Sequence, residues 1–85
     1  MKATVRLFAR LSELAGARRI DVEVGEGLAA RDVYATLCRH YPSMSGLADS
    51  LMYALNGQYV SPDHPVAPGD ELALIPPVSG GTRAL

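Results

Sequence analysis

The side chains best suited to chemistry are few: two histidines and one cysteine. His40 and His64 have no second histidine or cysteine at the spacing of a zinc site, so we expect both to be structural and no metal to be bound. Cys38 could be a nucleophile, but it lies late in a predicted helix, where neither a helix N-terminus nor a dedicated base would favour the thiolate. A partly buried core thiol is therefore the favoured interpretation.

Other catalytic patterns are missing from the sequence as well. The glycines are scattered, and none opens a helix ahead of a Lys-Ser or Lys-Thr pair, as a phosphate-binding loop requires. Neighbouring acids such as Asp70 and Glu71 do not make a glycosidase pair without a cleft to hold a sugar. A side-chain active site is therefore not predicted, which leaves the backbone at the C-terminal end as the candidate.

The C-terminal run Pro76-Pro77-Val78-Ser79-Gly80-Gly81 has the composition of a stalk with a bare tip. A Pro-Pro pair favours extended polyproline geometry and projects the chain away from a sheet. Two glycines without Cβ atoms can enter a narrow channel in a partner, and a carboxylate on Gly81 could be presented there. Taken alone the tripeptide Ser-Gly-Gly is a weak signal, because most such ends are simply flexible.

Length and charge limit the alternatives. A chain of 85 residues is one domain with a modest core, and its net charge of −1 argues against nucleic-acid binding. Residues 1–40 contain seven Lys/Arg, whereas residues 41–81 contain none and carry four acids. Those acids could steer a basic partner, or they could simply sit in turns. No signal peptide or membrane-spanning stretch is predicted, so we expect a cytoplasmic protein.

The elements that would carry the tail follow from alternation and helical spacing. The pattern predicts strands over residues 3–8, 19–24, 51–55, 58–61 and 71–75, and helices over residues 9–16 and 28–41. Asn56-Gly57 predicts a tight turn, and residues 43–50 read as a polar connection with one helical turn. The order predicts an α+β fold, in which one main helix packs across a mixed sheet of four to five strands. The first and last strands would lie side by side at its centre, as in the β-grasp (ubiquitin-like) arrangement, with a domain over residues 1–75 and a flexible tail over residues 76–85.

Several segments together resemble the MoaD/ThiS ubiquitin-like sulfur-carrier family, which includes the small subunits of molybdopterin synthase. The most specific are Asp63-His64-Pro65, Gly69-Asp70-Glu71 and the Pro-Pro-Val-Ser-Gly-Gly end. The segment Leu7-Phe8-Ala9-Arg10-Leu11-Ser12-Glu13-Leu14-Ala15-Gly16 and the Asn-Gly turn are similar to that family's first strand and helix and to its hairpin. The resemblance covers residues 2–81.

The resemblance implies a β-grasp carrier with no bound cofactor and no catalytic residues of its own. An E1-like adenylyltransferase would activate the terminal glycine carboxylate with ATP, and sulfur from a donor would then replace AMP to give a thiocarboxylate. The large subunit of molybdopterin synthase would accept the tail and use the sulfur to build the dithiolene of molybdopterin. Whether the carrier itself counts as an enzyme stays open.

The same resemblance assigns roles along the tail. Gly81 would bear the adenylate and then the sulfur, and Gly80 would give clearance. Four residues before them would line the partner's channel: Pro76, Pro77, Val78 and Ser79. Three further residues are candidates for an apolar partner surface: Phe8, Leu55 and Ile75. From alternation alone, ordinary core or sheet packing is an equal alternative for these three.

The sequence departs from the family pattern after Gly81, because Thr82-Arg83-Ala84-Leu85 follows. Members competent for sulfur transfer normally end at the second glycine. The favoured interpretation is a precursor from which a peptidase removes residues 82–85. The alternatives are an inactive paralogue, an artificial extension, or another carrier or conjugation role after trimming. Other functions also stay open: a ubiquitin-like modifier joined to lysines, a sulfur carrier for thiazole or cysteine synthesis, or a plain β-grasp binding module.

Overall fold

The computed structural model describes residues 1–76, apart from the side chains of residues 48 and 49. Its elements, in chain order, are β1 Lys2–Leu7, α1 Arg10–Ala15, β2 Arg19–Glu23, α2 Ala30–His40, a 3₁₀ segment Pro42–Ser50, β3 Met52–Leu55, β4 Gln58–Val60 and β5 Glu71–Ile75. The predicted strands and helices are confirmed, with several ends shifted by one or two residues. The helical part of the connection after α2 is a 3₁₀ segment of nine residues, which is longer than the single helical turn predicted.

The strands form one mixed five-stranded sheet in the order β2-β1-β5-β3-β4. β1 and β5 are parallel neighbours, and the other pairs are antiparallel. Leu7 lies opposite Leu74, so β1 and β5 end at the same edge of the sheet. The predicted β-grasp fold, with first and last strands adjacent at the centre, is confirmed.

One face of the sheet is covered by α2, α1 and the 3₁₀ segment. The buried stripe of α2 consists of Ala30, Val33, Tyr34 and Leu37, as helical spacing predicts. None of the helices in residues 1–76 is long and apolar enough to cross a membrane.

Met44 anchors the 3₁₀ segment, because its side chain is fully buried and its carbonyl accepts a hydrogen bond from the Tyr34 hydroxyl. Pro42 stands at the start of the segment, and its carbonyl accepts a hydrogen bond from Ser45 Oγ at 2.9 Å. Burial, with the nearby Cys38 adding to it, raises the pKa of Tyr34 to about 12. The hydroxyl therefore stays a donor, and the connection is held as a structured element.

The Asp63-His64-Pro65 turn closes the N-terminus of α2. The Ala30 N–H donates to the His64 carbonyl at 2.8 Å, and the Arg31 N–H donates to the Pro62 carbonyl at 2.9 Å. The Arg31 guanidinium also pairs with the Asp63 carboxylate. The turn thus satisfies amide groups that a helix start would otherwise leave without partners.

The predicted tight turn joins β3 to β4 with positive φ angles of 50° at Asn56 and 88° at Gly57, as a two-residue hairpin of this kind requires. The Asn56 side chain then ties the hairpin to β5. Its Oδ1 accepts the Glu71 N–H at 2.9 Å, and its Nδ2 donates to Asp70 Oδ1 at 3.1 Å. Donation from the Ala67 N–H and from Asn56 lowers the pKa of Asp70.

Candidate functional site: the open face of the sheet and the root of the tail

The face of the sheet that points away from α2 carries the candidate site. Its members alternate with the buried core residues along each strand, and we call this surface the open face. They are Lys2, Thr4, Arg6, Arg19, Asp21, Glu23, Met52, Ala54, Tyr59, Glu71, Ala73 and Ile75.

The apolar members of the open face meet at the end of β5, and together with Phe8 we call them the apolar patch: Phe8, Met52, Ala54, Tyr59, Ala73 and Ile75. In register, Ile75 lies opposite Met52, Ala73 opposite Ala54, and Ala54 opposite Tyr59. Three large side chains are well exposed, with 37% of Phe8, 48% of Met52 and 69% of Tyr59 accessible. Contiguous exposed apolar surface of this kind marks an interaction site more often than single exposed residues do.

A shallow depression of about 260 Å³ lies within this patch, between Phe8, Tyr59 and Ile75. The depression also includes Arg6 and Glu71, so its apolar floor has charged groups beside it. The arrangement suits an apolar side chain of a partner bordered by polar contacts. It offers no enclosed space for a small-molecule substrate.

The structure brings two of the three predicted surface residues together. Ile75 is half-buried on the open face, and Phe8 is exposed beside it. Leu55 lies elsewhere: it pairs with Leu72 in register and packs against the buried core on the helix side. Ordinary core packing therefore accounts for Leu55, whereas Ile75 and Phe8 share one surface.

Pro76 is the residue from which the tail departs, and we call it the root of the tail. Pro76 follows the central strand directly and is buried against the domain, so it is covered already before any partner binds. The other predicted tail residues lie outside the described part of the chain, and their roles stay predictions: Pro77, Val78, Ser79, Gly80 and Gly81.

Sequence reasoning missed several members of this surface. Met52 and Tyr59 were not singled out, although each alternates with a core residue in its strand. The ion pairs of Glu71 were missed too: its carboxylate lies 2.6 Å from Arg19 Nη2 and 4.0 Å from Arg6 Nη1. Those partners lie 52 residues (Arg19) and 65 residues (Arg6) earlier in the chain, so no local pattern shows them.

Comparison with known proteins now identifies the family. Residues 5–81 match the ThiS family. This chain belongs to the ThiS family. The matched region begins in the middle of β1, contains all the later strands of the sheet and ends at Gly81.

Named relatives of this ThiS-family chain include proteins of two kinds. The molybdopterin synthase sulfur carrier subunit of Chlamydomonas reinhardtii is 36% identical over 83 residues, covering 95% of this chain and all of that protein. Small archaeal modifier protein 1 of Haloferax volcanii is 36% identical over 84 residues, covering 89% of this chain and 97% of the relative.

Solved structures agree on the fold. The crystal structure of SAMP1 from Haloferax volcanii has a TM-score of 0.83 at 34% identity, covering 95% of this chain and all of that one. The complex of subunits 1 and 2 of molybdopterin-converting factor from Helicobacter pylori contains a chain with a TM-score of 0.64 at 20% identity, covering 95% of this chain and all of that one. At that identity the likeness shows the shared fold alone.

The acids of the second half of this ThiS-family chain are mostly engaged within the fold. Asp63 pairs with Arg31, Glu71 pairs with Arg19, and Asp70 accepts hydrogen bonds in its turn. The interpretation that acids occupy turns fits Asp63 and Asp70, and Glu71 begins a strand.

The remaining chemical candidates stand apart from the open face. His40 and His64 are exposed, and His64 Nδ1 lies 2.9 Å from the Pro65 carbonyl oxygen. Cys38 is partly buried against the core, as predicted. Within residues 1–76 no group of three or more His, Cys, Asp or Glu could hold a metal ion.

Proposed function

We propose that this protein is a sulfur carrier subunit of molybdopterin synthase, carrying sulfur as a thiocarboxylate on Gly81. The observation that carries the proposal is a family match that ends at Gly81, joined to a curated sulfur carrier subunit 36% identical over nearly the whole chain. Gly81 is followed by Thr82, so its carboxyl group is held in a peptide bond. Hydrolysis of that bond by a peptidase, which removes residues 82–85, is therefore part of the proposal.

The chemistry uses the backbone carboxylate and needs no catalytic side chain from this chain. A carboxylate is a poor electrophile, so an E1-like adenylyltransferase first joins Gly81 to AMP with release of pyrophosphate from ATP. A hydrosulfide ion supplied by a donor then attacks the carbonyl carbon, and AMP leaves. The resulting thiocarboxylate is a soft nucleophile that delivers sulfur for the dithiolene of molybdopterin on the large subunit.

The surface around the root of the tail supplies the docking. Ile75 directly precedes Pro76 and lines one depression with Phe8, so a partner that covers the apolar patch also contacts the residue next to the point from which the tail departs. The five residues from Pro77 to Gly81 span at most about 18 Å when fully extended. The acceptor site must therefore lie within that distance of Pro76, with Pro77, Val78 and Ser79 lining the channel and Gly80 giving clearance.

Intact-mass measurement tests the proposal. The 85-residue chain and a chain ending at Gly81 are each incubated with the cognate activating enzyme, ATP and a sulfur donor. We expect the shortened chain to gain the mass of one oxygen-to-sulfur exchange, and the 85-residue chain to remain unchanged. Efficient thiocarboxylation of the 85-residue chain would contradict the requirement for processing, and failure of both chains would contradict the carrier function.

A second candidate is a ubiquitin-like protein modifier, favoured by the 36% identity to small archaeal modifier protein 1. Both functions use an activated terminal glycine, but a modifier ends in an isopeptide bond to a target lysine. Blots of extracts from the native cell distinguish them, since a modifier gives a ladder of conjugates and a pure carrier gives one band. Lys2 is the only lysine, so chains of this protein could grow only there or at the N-terminus.

A sulfur carrier for thiazole or cysteine synthesis is a third possibility within the same chemistry. Transfer from the thiocarboxylated chain to the cognate large subunit, with its cyclic phosphate precursor, separates it from the leading proposal. We also propose a cytoplasmic location, which fits the single free thiol of Cys38.

A further inference from the structure

Three arginines surround a second depression at the edge of the sheet from which the tail departs. Arg6, Arg18 and Arg19 line it together with Phe8 and Ser12, and its volume is about 470 Å³. We call the three arginines the arginine cluster. Arg6 lies near the end of β1, Arg19 begins β2 and Arg18 directly precedes it. β1 ends at the same edge as β5.

The arginine cluster carries uncompensated positive charge. Arg6 and Arg19 lie directly opposite each other in the β1–β2 register, where like charges repel. The Glu71 carboxylate relieves this by contacting both guanidinium groups, at 4.0 Å and 2.6 Å. Within residues 1–76 Arg18 forms no ion pair, so the three arginines together with the single Glu71 carboxylate carry a net charge of +2.

The cluster adjoins the apolar patch. The Arg6 guanidinium carbon lies 5.1 Å from the centroid of the Phe8 ring, a cation–π distance that holds the two side chains together. Phe8 borders both depressions, so a protein that covers the apolar patch also brings its own groups over the arginines.

We propose that the arginine cluster binds carboxylate side chains of the protein that docks on the apolar patch and receives the tail. This inference rests on the proposed carrier function. Guanidinium groups bind carboxylates in a paired, planar geometry, and an apolar centre with a charged rim is the usual arrangement of a protein interface. The three arginines are exposed and are spread over the end of β1, the start of β2 and the residue just before it, which suits an acidic protein surface rather than the enclosed cradle of one small anion.

The cluster acts mainly on the rate of association. Exposed charges at the rim of an interface steer the encounter, and screening by salt removes the effect. The carrier therefore meets an acidic partner with its tail end first.

A matched pair of variants tests this inference. Arg18→Gln and Arg39→Gln each remove one positive charge from an exposed arginine, and Arg39 lies on α2, where its described contact is with Thr36 Oγ1 at 3.3 Å. Every described element lies within residues 2–75, so a chain ending at Gly81 keeps the complete fold. Association of this chain with the purified cognate large subunit is measured by stopped-flow fluorescence at low and high ionic strength.

We expect Arg18→Gln to slow association roughly threefold to tenfold at low salt, and Arg18→Glu to slow it further. Arg39→Gln should stay close to the unsubstituted chain, and all four proteins should converge at high salt. Melting temperatures should agree, which shows that folding is unaffected.

Equal rates for Arg18→Gln and Arg39→Gln would overturn the inference, while binding by the unsubstituted chain would leave the carrier function intact. Absence of binding by the unsubstituted chain to the large subunit would instead count against the carrier function itself. Inorganic phosphate at constant ionic strength provides the other arm. If phosphate binds the unsubstituted chain but not Arg18→Gln, while the two variants associate with the large subunit at equal rates, the cluster is a site for a free anion and the inference is wrong.

Discussion

The two faces of β5 use neighbouring residues for opposite purposes. Leu72 and Leu74 are fully buried under the helices, with 0% of either side chain accessible, whereas Ala73 and Ile75 lie half-buried on the open face. A strand separates such roles by a single residue, because successive side chains point to opposite sides. The covered face holds the domain together, and the open face is left for a partner.

Leu74→Ala should give the largest effect on stability. Removing a fully buried leucine side chain leaves a cavity and costs about 3 kcal/mol, within the usual range of 2–5 kcal/mol. That is a large fraction of the free energy of unfolding of a small domain. Urea unfolding measures it, and partner affinity per folded molecule should remain unchanged. A cost under about 1 kcal/mol would contradict the packing described for this face.

Ile75→Ser should weaken partner binding and leave the stability of the domain nearly unchanged, which is the reverse of Leu74→Ala. We expect the affinity for the large subunit to fall tenfold or more, about 1.4 kcal/mol, because an apolar contact at the root of the tail is lost. The free energy of unfolding should change much less than in Leu74→Ala, the matched neighbour on the other face. Titration calorimetry and urea unfolding on the same samples give both numbers. An unchanged affinity would remove Ile75 from the docking surface.

The residues that cap the N-terminus of α2, on the covered side of the sheet, should have a smaller effect on stability than the buried leucine. Asp32 Oδ2 accepts the Ala29 N–H at 2.9 Å, so Asp32→Ala should cost about 1 kcal/mol of stability. His64 contributes its backbone carbonyl instead, and His64→Ala should leave stability nearly unchanged. Thermal unfolding compares the two variants. A larger loss in His64→Ala would mean that its imidazole has a structural role.

Asp70 should give the smallest effect, and one that depends on pH. Its pKa is lowered in the folded state from the ordinary 3.8, so it contributes stability above that value and loses it as pH falls through the lower folded pKa. Asp70→Asn should therefore be less stable than the unsubstituted chain at pH 7. The difference should shrink as the pH falls below 3.8. Urea unfolding at several pH values checks this, and a constant difference would exclude the carboxylate as its source.

The sequence predicts the fold well wherever the pattern is local. Alternation over β1 and helical spacing over α2 place the core correctly, and Asn56-Gly57 fixes the hairpin because both residues accept positive φ. The predictions fail where tertiary contacts decide. The 3₁₀ segment depends on Met44 entering the core, which its polar surroundings conceal.

The candidate site can be predicted only in part from the sequence, because its members are brought together by tertiary contacts. β3 and β4 contain four and three residues, too few for alternation to show which face is covered. The sequence therefore allows Leu55 to be predicted for the partner surface, whereas it does not single out Met52 or Tyr59. The arginine cluster needs the β1–β2 register, which only the folded sheet supplies.

The position of β5 also has a mechanical consequence. The strand that leads into the buried Pro76 is bonded on both sides, to β1 and to β3. A partner that draws the tail into its channel pulls along this strand, across the direction of its hydrogen bonds. The force is then distributed over many hydrogen bonds loaded in shear, and the bonds do not break one after another. The domain can thus stay folded while its C-terminal end is pulled.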